Sequence, residues 1–173
     1  MRKFGLIGYP LSHSFSQGFF TEKFLKENIS NAAYTNYPME HIDALNALWE
    51  QNPDLEGLNV TIPHKKAVIP FLEYPSSVVK SIQACNCIRK FEGTLYGYNT
   101  DVIGFEKSLL PFLQPHHSHA LILGTGGAAA AVEWVLNKLS IKYQFVSRAI
   151  GSQVLSYAQL TPEIITQHRS EER

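Results

Sequence analysis

Between Asn59 and Val68 the chain reads NVTIPHKKAV. An apolar, strand-like run meets a proline, and a histidine and two lysines follow where a turn would usually carry Gly, Asn, Asp or Ser. An ammonium group at the end of a strand suits one task in particular. It can stabilise negative charge growing on an oxygen and donate a proton to it. Lys65 is the candidate for that task. Lys66 follows it on an apparent helix, about 100° around the axis, and reads as a solvated surface charge. His64 reads as structural. Other polar groups stand at comparable places: Ser14 and Ser16 in GYPLSHSFS, Thr61 beside the lysine, Asn86 between two cysteines, and Asn99, Thr100 and Asp101 in GYNTD. Hydroxyls and amides with one lysine and one carboxylate suit a small polyhydroxylated ligand.

A second group of residues points to a nucleotide. LILGTGGAAAAV places Gly124, Gly126 and Ala129 at G-x-G-x-x-A spacing, after a strand-like run and before a helical one. Gly124 would allow a tight turn. Gly126 would let backbone N–H groups approach a pyrophosphate, while Ala128 and Ala129 would let the helix sit close to the strand, its N-terminus favouring the anion. The plainer alternative is a closely packed strand–helix turn. An NAD site wants an acidic residue at the end of the next strand, whereas this chain has Ser147 and Arg148 there. An arginine at that place can fork onto a 2′-phosphate, so the expectation is NADP, with a solvent-facing arginine as the alternative.

The elements that must position these residues follow from periodicity. KFGLIG reads as a first strand and YPLSHS as a loop. A helix is predicted from Ser16 to Glu27, with Ser14 or Ser16 capping it and Phe19, Phe20, Phe24 and Leu25 at helical spacing. AAYTNYPM reads as a second strand, EHIDALNALWEQ as a helix and LEGLNVTI as a third strand. Helices are predicted in HKKAVIPFLE and SSVVKSIQ, and a hairpin turning at Glu92-Gly93 in CNCIRKFEGTLYGYN. Alternating strands and helices imply an α/β fold with a mostly parallel sheet. A helix from about Thr100 to Leu113 then leads to a second β-α-β unit: HALILG, the helix from Gly126 to Leu139, and KYQFVSR. In the remaining residues, QVLSY reads as a weak strand and a short helix begins near Thr161. The predicted organisation is a substrate-binding catalytic domain over 1–104 and a partial, Rossmann-like NADP-binding domain over 105–173.

Composition sets the outer limits. The 173 residues are 45% hydrophobic, enough for one core or two small ones, and 15 basic residues balance 15 acidic ones. That balance argues against nucleic acid and against a polybasic membrane surface. No apolar run approaches the roughly 20 residues of a membrane span. The opening MRKFGLIGYP has two positive charges, but its apolar run is short and interrupted, so it reads as a strand and not as a secretory leader. Cys85 and Cys87 in C-x-C spacing are expected as reduced thiols, which fits a cytoplasmic setting. His116, His117 and His119 have no Cys or carboxylate beside them and read as a linker, so no metal site is expected.

GYPLSHSFS, NVTIPHK, GYNTD and GTGGAAAA, in this order and spacing, resemble shikimate dehydrogenase, over about Met1 to Arg148. The resemblance implies NADPH-dependent reduction of 3-dehydroshikimate to shikimate, in aromatic amino acid biosynthesis. It implies that Ser14 and Ser16 hold the substrate carboxylate, that Thr61 and Asn86 line the substrate, and that Lys65 and Asp101 form the catalytic pair, either of which could exchange the proton. Gly124, Gly126, Gly127, Ala128, Ser147 and Arg148 would hold NADP. Two later features of the family, an NTSPLGM-like segment and a closing helix with a substrate-contacting glutamine, have no counterpart in this sequence, and VSRA stands in place of the usual Asn-Arg-Thr. Weak or no turnover is therefore expected, with Met1 to about Gly104 still folding. Two other readings stay open: a non-catalytic module binding shikimate or a nucleotide, and a quinate/shikimate dehydrogenase preferring NAD. An uncovered sheet edge in the second domain would favour a homodimer.

Overall fold

The computed structural model describes residues 1–148 and 154–167. The chain forms two compact units, Met1–Asn99 and Thr100–Arg173. In the first unit, β1 (Arg2–Gly8), β2 (Ala32–Pro38) and β3 (Leu55–Val60) alternate with α1 (Ser16–Lys26) and α2 (Leu45–Gln51). They are followed by α3 (His64–Ala67), β4 (Tyr74–Pro75), α4 (Ser77–Ile82), β5 (Cys87–Phe91) and β6 (Thr94–Tyr98). The sheet order is β2-β1-β3-β5-β6-β4. β1 pairs in parallel with β2 and β3, and β4 with β6, whereas β3–β5 and β5–β6 are antiparallel. Alternation accounts for the parallel half. The antiparallel half comes from the hairpin, whose tip residues Glu92 and Gly93 have φ of +50° and +81°, as a type I′ turn requires.

Several elements are shorter than their periodicity suggests. The helix expected over 40–51 begins as a 3₁₀ turn, Ile42–Ala44, and becomes α-helical only at Leu45. The one expected over 64–73 stops at Ala67, and a 3₁₀ turn, Ile69–Phe71, follows around Pro70, which has no N–H to continue the ladder. α1 has Phe15 at its N-cap and no side-chain cap. Ser14 Oγ instead accepts from the Ser16 amide at 3.3 Å, inside the loop. Ser76 does cap α4, accepting from Val79 N.

The main core of this unit lies on the sheet face carrying α2 and α4. Ile7, Leu45, Leu55, Val68, Val79, Cys85 and Ile88 are there almost completely buried. Burial pushes the Cys85 thiol up to about 11, so it stays neutral near pH 7. On the other face α1 packs on β1 and β2 through Phe20 and Phe24, against Phe4, Leu6 and Tyr34.

The second unit opens with α5 (Thr100–Leu109), which passes into a 3₁₀ turn, Leu110–Phe112. β7 (His119–Leu123), α6 (Gly127–Lys138) and β8 (Lys142–Val146) form a parallel β-α-β unit, and β9 (Val154–Leu155) extends the sheet in the order β7-β8-β9. α7 (Pro162–Gln167) follows. Ile122, Leu136 and Ile141 form its core with Leu109, Leu113 and Phe145 packed around them. Lys138 ties α6 to Glu106 on α5 at 2.7 Å. Residues 149–153, which include Ala149 of VSRA and Gln153 of QVLSY, and the closing residues 168–173 lie outside the described residues. Among the described residues, no helix is long and apolar enough to cross a membrane.

Candidate functional site

The loops after β1 and β3 leave the same end of the sheet, because the two strands are parallel neighbours. They are also bonded to each other. Thr61 N donates to Ile7 O at 2.9 Å, and Tyr9 N donates to Ile62 O at 3.0 Å. Each loop turns through a cis X-Pro bond, Tyr9-Pro10 and Ile62-Pro63. Gly8 is what lets them come so close. A Cβ there would run into the Thr61 methyl and stand 2.8 Å from Ile62 O. Both contacts are tighter than a folded chain tolerates, and one of them is to backbone. Gly8→Ala is therefore expected to cost about 1–3 kcal/mol in urea unfolding, as overpacking does. It should also weaken ligand binding at this end of the sheet by displacing Thr61, which isothermal titration would read.

Lys65 is held from three directions through backbone and neighbours. His64, 3% exposed, donates from Nε2 to Met39 O at 2.6 Å. Its own amide donates to Thr61 O at 2.9 Å, and Lys65 O accepts from Cys85 N at 2.7 Å. Asn86, 8% exposed, then bonds β3 and β6: its carbonyl accepts from Val60 N at 2.9 Å and its amide donates to Tyr98 O at 3.0 Å. Asn99, also buried, donates from Nδ2 to Ala84 O at 3.0 Å. The end of β3, α3 and the 84–86 segment thus form one hydrogen-bonded block, with Thr61 and Lys65 partly exposed on it. Ser14 and Ser16 are partly exposed in the loop after β1. Asn59 is committed elsewhere, accepting from the Tyr34 hydroxyl at 2.8 Å. Lys66 is exposed and His64 buried, as their spacing suggests.

Asp101 lies in the first turn of α5, two residues after Asn99. The glycine loop occupies the β7–α6 connection. Gly124 has φ +110°, a conformation that favours glycine, and Gly126 is the N-cap of α6 with an extended backbone. A Cβ at either would meet nothing within 4 Å, so both backbones are open to an approaching group. Gly127 and Ala128 form the first turn of α6 and are exposed. Ser147 follows β8 partly exposed, its amide donating to Leu155 O at 2.8 Å, and Arg148 is exposed beside it. Open glycines at the N-terminus of a 12-residue helix, with an arginine after the next strand, fit a phosphate-bearing dinucleotide. His116 and His117 stack edge to face at 4.3 Å, and His117 Nδ1 accepts from Gln114 N.

Residues 6–88 match the family described as the shikimate dehydrogenase substrate binding domain. The chain is similar to shikimate dehydrogenases over this stretch and beyond it. It is 38% identical over 144 residues to the NADP(+) shikimate dehydrogenase of Pyrococcus abyssi, over 81% of this chain and 52% of that protein. It thus spans about half the length of the curated relatives it matches. Among solved structures, shikimate dehydrogenase 1 of Peptoclostridium difficile superposes with a TM-score of 0.79 at 31% identity, over 92% of this chain and 62% of that one. The Thermus thermophilus enzyme, in complex with NADP(H) and shikimate, gives 0.76 at 29% identity, over 86% and 57%. The α/β architecture, with a Rossmann-like second unit, is shared with these shikimate dehydrogenases.

Residue spacing alone did not reveal the positioning groups. The Gly8 contact and the Cys85–Lys65 backbone bond join segments distant in sequence. Only the small residue before Tyr9-Pro10 hinted at the first.

Proposed function

We propose that this chain carries the substrate-binding and cofactor-binding elements of an NADP-dependent shikimate dehydrogenase, reducing 3-dehydroshikimate to shikimate. The observation that carries this reading is the bonded block of β1, β3, α3 and residues 84–86, which presents Thr61 and Lys65 at the strand ends where the Ser14–Ser16 loop also begins. Ligands of open α/β sheets bind beyond the carboxyl ends of the strands. In this reading Ser14 and Ser16 donate hydroxyl hydrogens to the substrate carboxylate. Thr61 and Asn86 bind its ring oxygens. The Lys65 ammonium donates to the ketone oxygen, stabilises the charge growing there and delivers a proton to it. Asp101 is the second member of the catalytic pair that the family resemblance implies. NADPH, when bound, supplies the hydride. Gly124, Gly126, Gly127 and Ala128 receive its pyrophosphate, and Ser147 and Arg148 its 2′-phosphate.

The decisive experiment is to mix the purified chain with 3-dehydroshikimate and NADPH and follow the loss of reduced cofactor. Formation of shikimate in step with that loss, even at the weak rate expected of this chain, supports the proposal. Shikimate binding without turnover would make the chain a binding module. Arg148 separates NADP from NAD. Arg148→Ala is expected to raise KM for NADPH about 10- to 100-fold, the worth of one charge-assisted contact, and to leave the weaker reaction with NADH unchanged. Equal use of both cofactors by the unmodified chain would favour a quinate/shikimate enzyme using NAD.

A cytoplasmic setting suits a biosynthetic reductase with two free thiols, Cys85 and Cys87. We also infer a homodimer. β7 lies at the edge of its sheet among the described residues, carries no formal charge beyond its histidine, and leaves Leu123 64% exposed. Such an edge is a template for pairing. Sedimentation at micromolar protein would show a mass near twice 19.5 kDa, and a monomer at all concentrations would refute the pairing.

A further inference from the structure

Residues 84–86 carry part of the candidate site yet belong to no helix or strand. α4 ends at Gln83, whose backbone is left-handed, with φ of +52°. Ala84, Cys85 and Asn86 follow it into the interior and are all buried. A buried irregular segment must find partners for its backbone polar groups one at a time. Cys85 N donates to Lys65 O at 2.7 Å, Asn86 N donates to Tyr98 O at 3.0 Å, and Asn86 O accepts from Val60 N at 2.9 Å. Ala84 O lies just past the helix end, and a side chain answers it. Asn99 Nδ2 donates to it at 3.0 Å, and Asn99 is itself buried.

The residue type suits the task. A carbonyl needs a donor. An amide supplies one without taking a charge out of water, whereas a lysine would bring a charge and an ionised carboxylate would offer only acceptors. The position matters as much. Cys87 is the last residue of β5 to pair with β6, opposite Tyr98. The Asn99–Ala84 bond closes the base of that hairpin one step further on. Without it the two chain segments would fray from the base inward, as ends with fewer bonds do. The first residues to move would be Cys85, which holds the Lys65 carbonyl, and Asn86.

We propose that Asn99 is a positioning residue: by fixing Ala84 it sets the place of Asn86 and of the Lys65 backbone beyond the end of β3. The inference rests on the reading of Asn86 and Lys65 as groups that meet substrate. The test compares Asn99→Ala with Asn52→Ala in the whole chain. Asn52 Nδ2 donates to Leu48 O at 2.9 Å at the end of α2, a bond of the same kind in the same unit. Asn99→Ala is expected to speed hydrogen exchange of the Cys85 and Asn86 amides about tenfold or more, to leave the amides of β1 within about twofold, and to weaken shikimate binding about tenfold, as loss of one bond to a buried carbonyl would. Asn52→Ala should leave all three within about twofold. Asn99→Ser keeps a donor on a shorter arm and should fall between the alanine variant and the unmodified chain. Exchange that rises equally in β1, or rises locally with shikimate affinity unchanged, would overturn the proposal. So would a chain that folds with neither substitution, since Asn99 would then serve the whole unit. If the unmodified chain binds no shikimate, the substrate reading fails by itself, and exchange at Cys85 and Asn86 still decides what Asn99 does.

Discussion

Lys65→Ala is expected to lower the rate of NADPH oxidation with 3-dehydroshikimate by about 10²- to 10⁴-fold, the usual worth of a positioned proton donor that also faces a developing oxyanion. Binding of shikimate, followed by calorimetry, should weaken by less than about tenfold. The asymmetry follows from where the charge is. The ketone oxygen is neutral in the bound substrate and negative only as hydride arrives, so the ammonium is worth most in the transition state. Backbone geometry should survive the change. Bonds that hold this position run through the Lys65 carbonyl and its neighbour His64. Lys65→Arg keeps the charge but spreads it over a planar fork, and only partial recovery is expected. If the alanine variant lost binding and rate together, Lys65 would be a ligand for the ground state, and the proposed chemistry would need another donor.

Leu45→Ala is expected to produce the largest loss of stability, about 2–5 kcal/mol. Leu45 is completely buried in the main core, next to Trp49 on the same helix and alongside Ile7 and Leu55. Truncation there removes apolar contact and leaves a cavity that the surrounding strands cannot close. Against a total of about 5–15 kcal/mol for a typical domain, such a loss would unfold an appreciable fraction of the chain at 37 °C. The two tryptophans make the effect local in readout. Trp49 lies in the first unit and Trp134 in the second. In urea, the transition seen in a Trp134→Phe background, which leaves Trp49 as reporter, should move to lower denaturant with little change in slope. A shift seen only through Trp134 would contradict the assignment of Leu45 to the first unit's core.

Much of this architecture could be read from the chain. β1, α1 and α6 announce themselves by period and by flanking turn residues. The Glu92-Gly93 hairpin does so through turn chemistry, and the Gly124 loop by its place between strand and helix. What stayed hidden has physical causes. β4 is two residues long and includes a proline, so it has no period to detect, and it exists only because β6 offers it an edge. The helix at His64 reads as ten residues in pattern but is four in fact, since Pro70 breaks the ladder. Alternation of strands and helices suggests parallel pairing throughout, but it cannot say that a hairpin will insert antiparallel beside β3. The serines before α1 looked like caps, because that is what their type and position usually mean; Ser14 instead stabilises its own loop. The candidate site residues Ser14, Ser16, Thr61, Lys65, Asn86 and Asp101 come from motif resemblance. The bonds from Cys85 N and His64 Nε2 that hold the lysine's segment were not legible. They pair backbone and neighbour groups across long separations, and no local pattern encodes them.

The bond between Tyr9 N and Ile62 O has a consequence for how such a protein can diverge. Two loops stitched together at their bases cannot lengthen independently, since an inserted residue in one would drag the other out of alignment. Changes in ligand preference at this end of the sheet should therefore accumulate as side-chain exchanges at fixed backbone, at positions such as Ser14, Ser16 and Thr61. Insertions and deletions should be tolerated instead at the far hairpin tip.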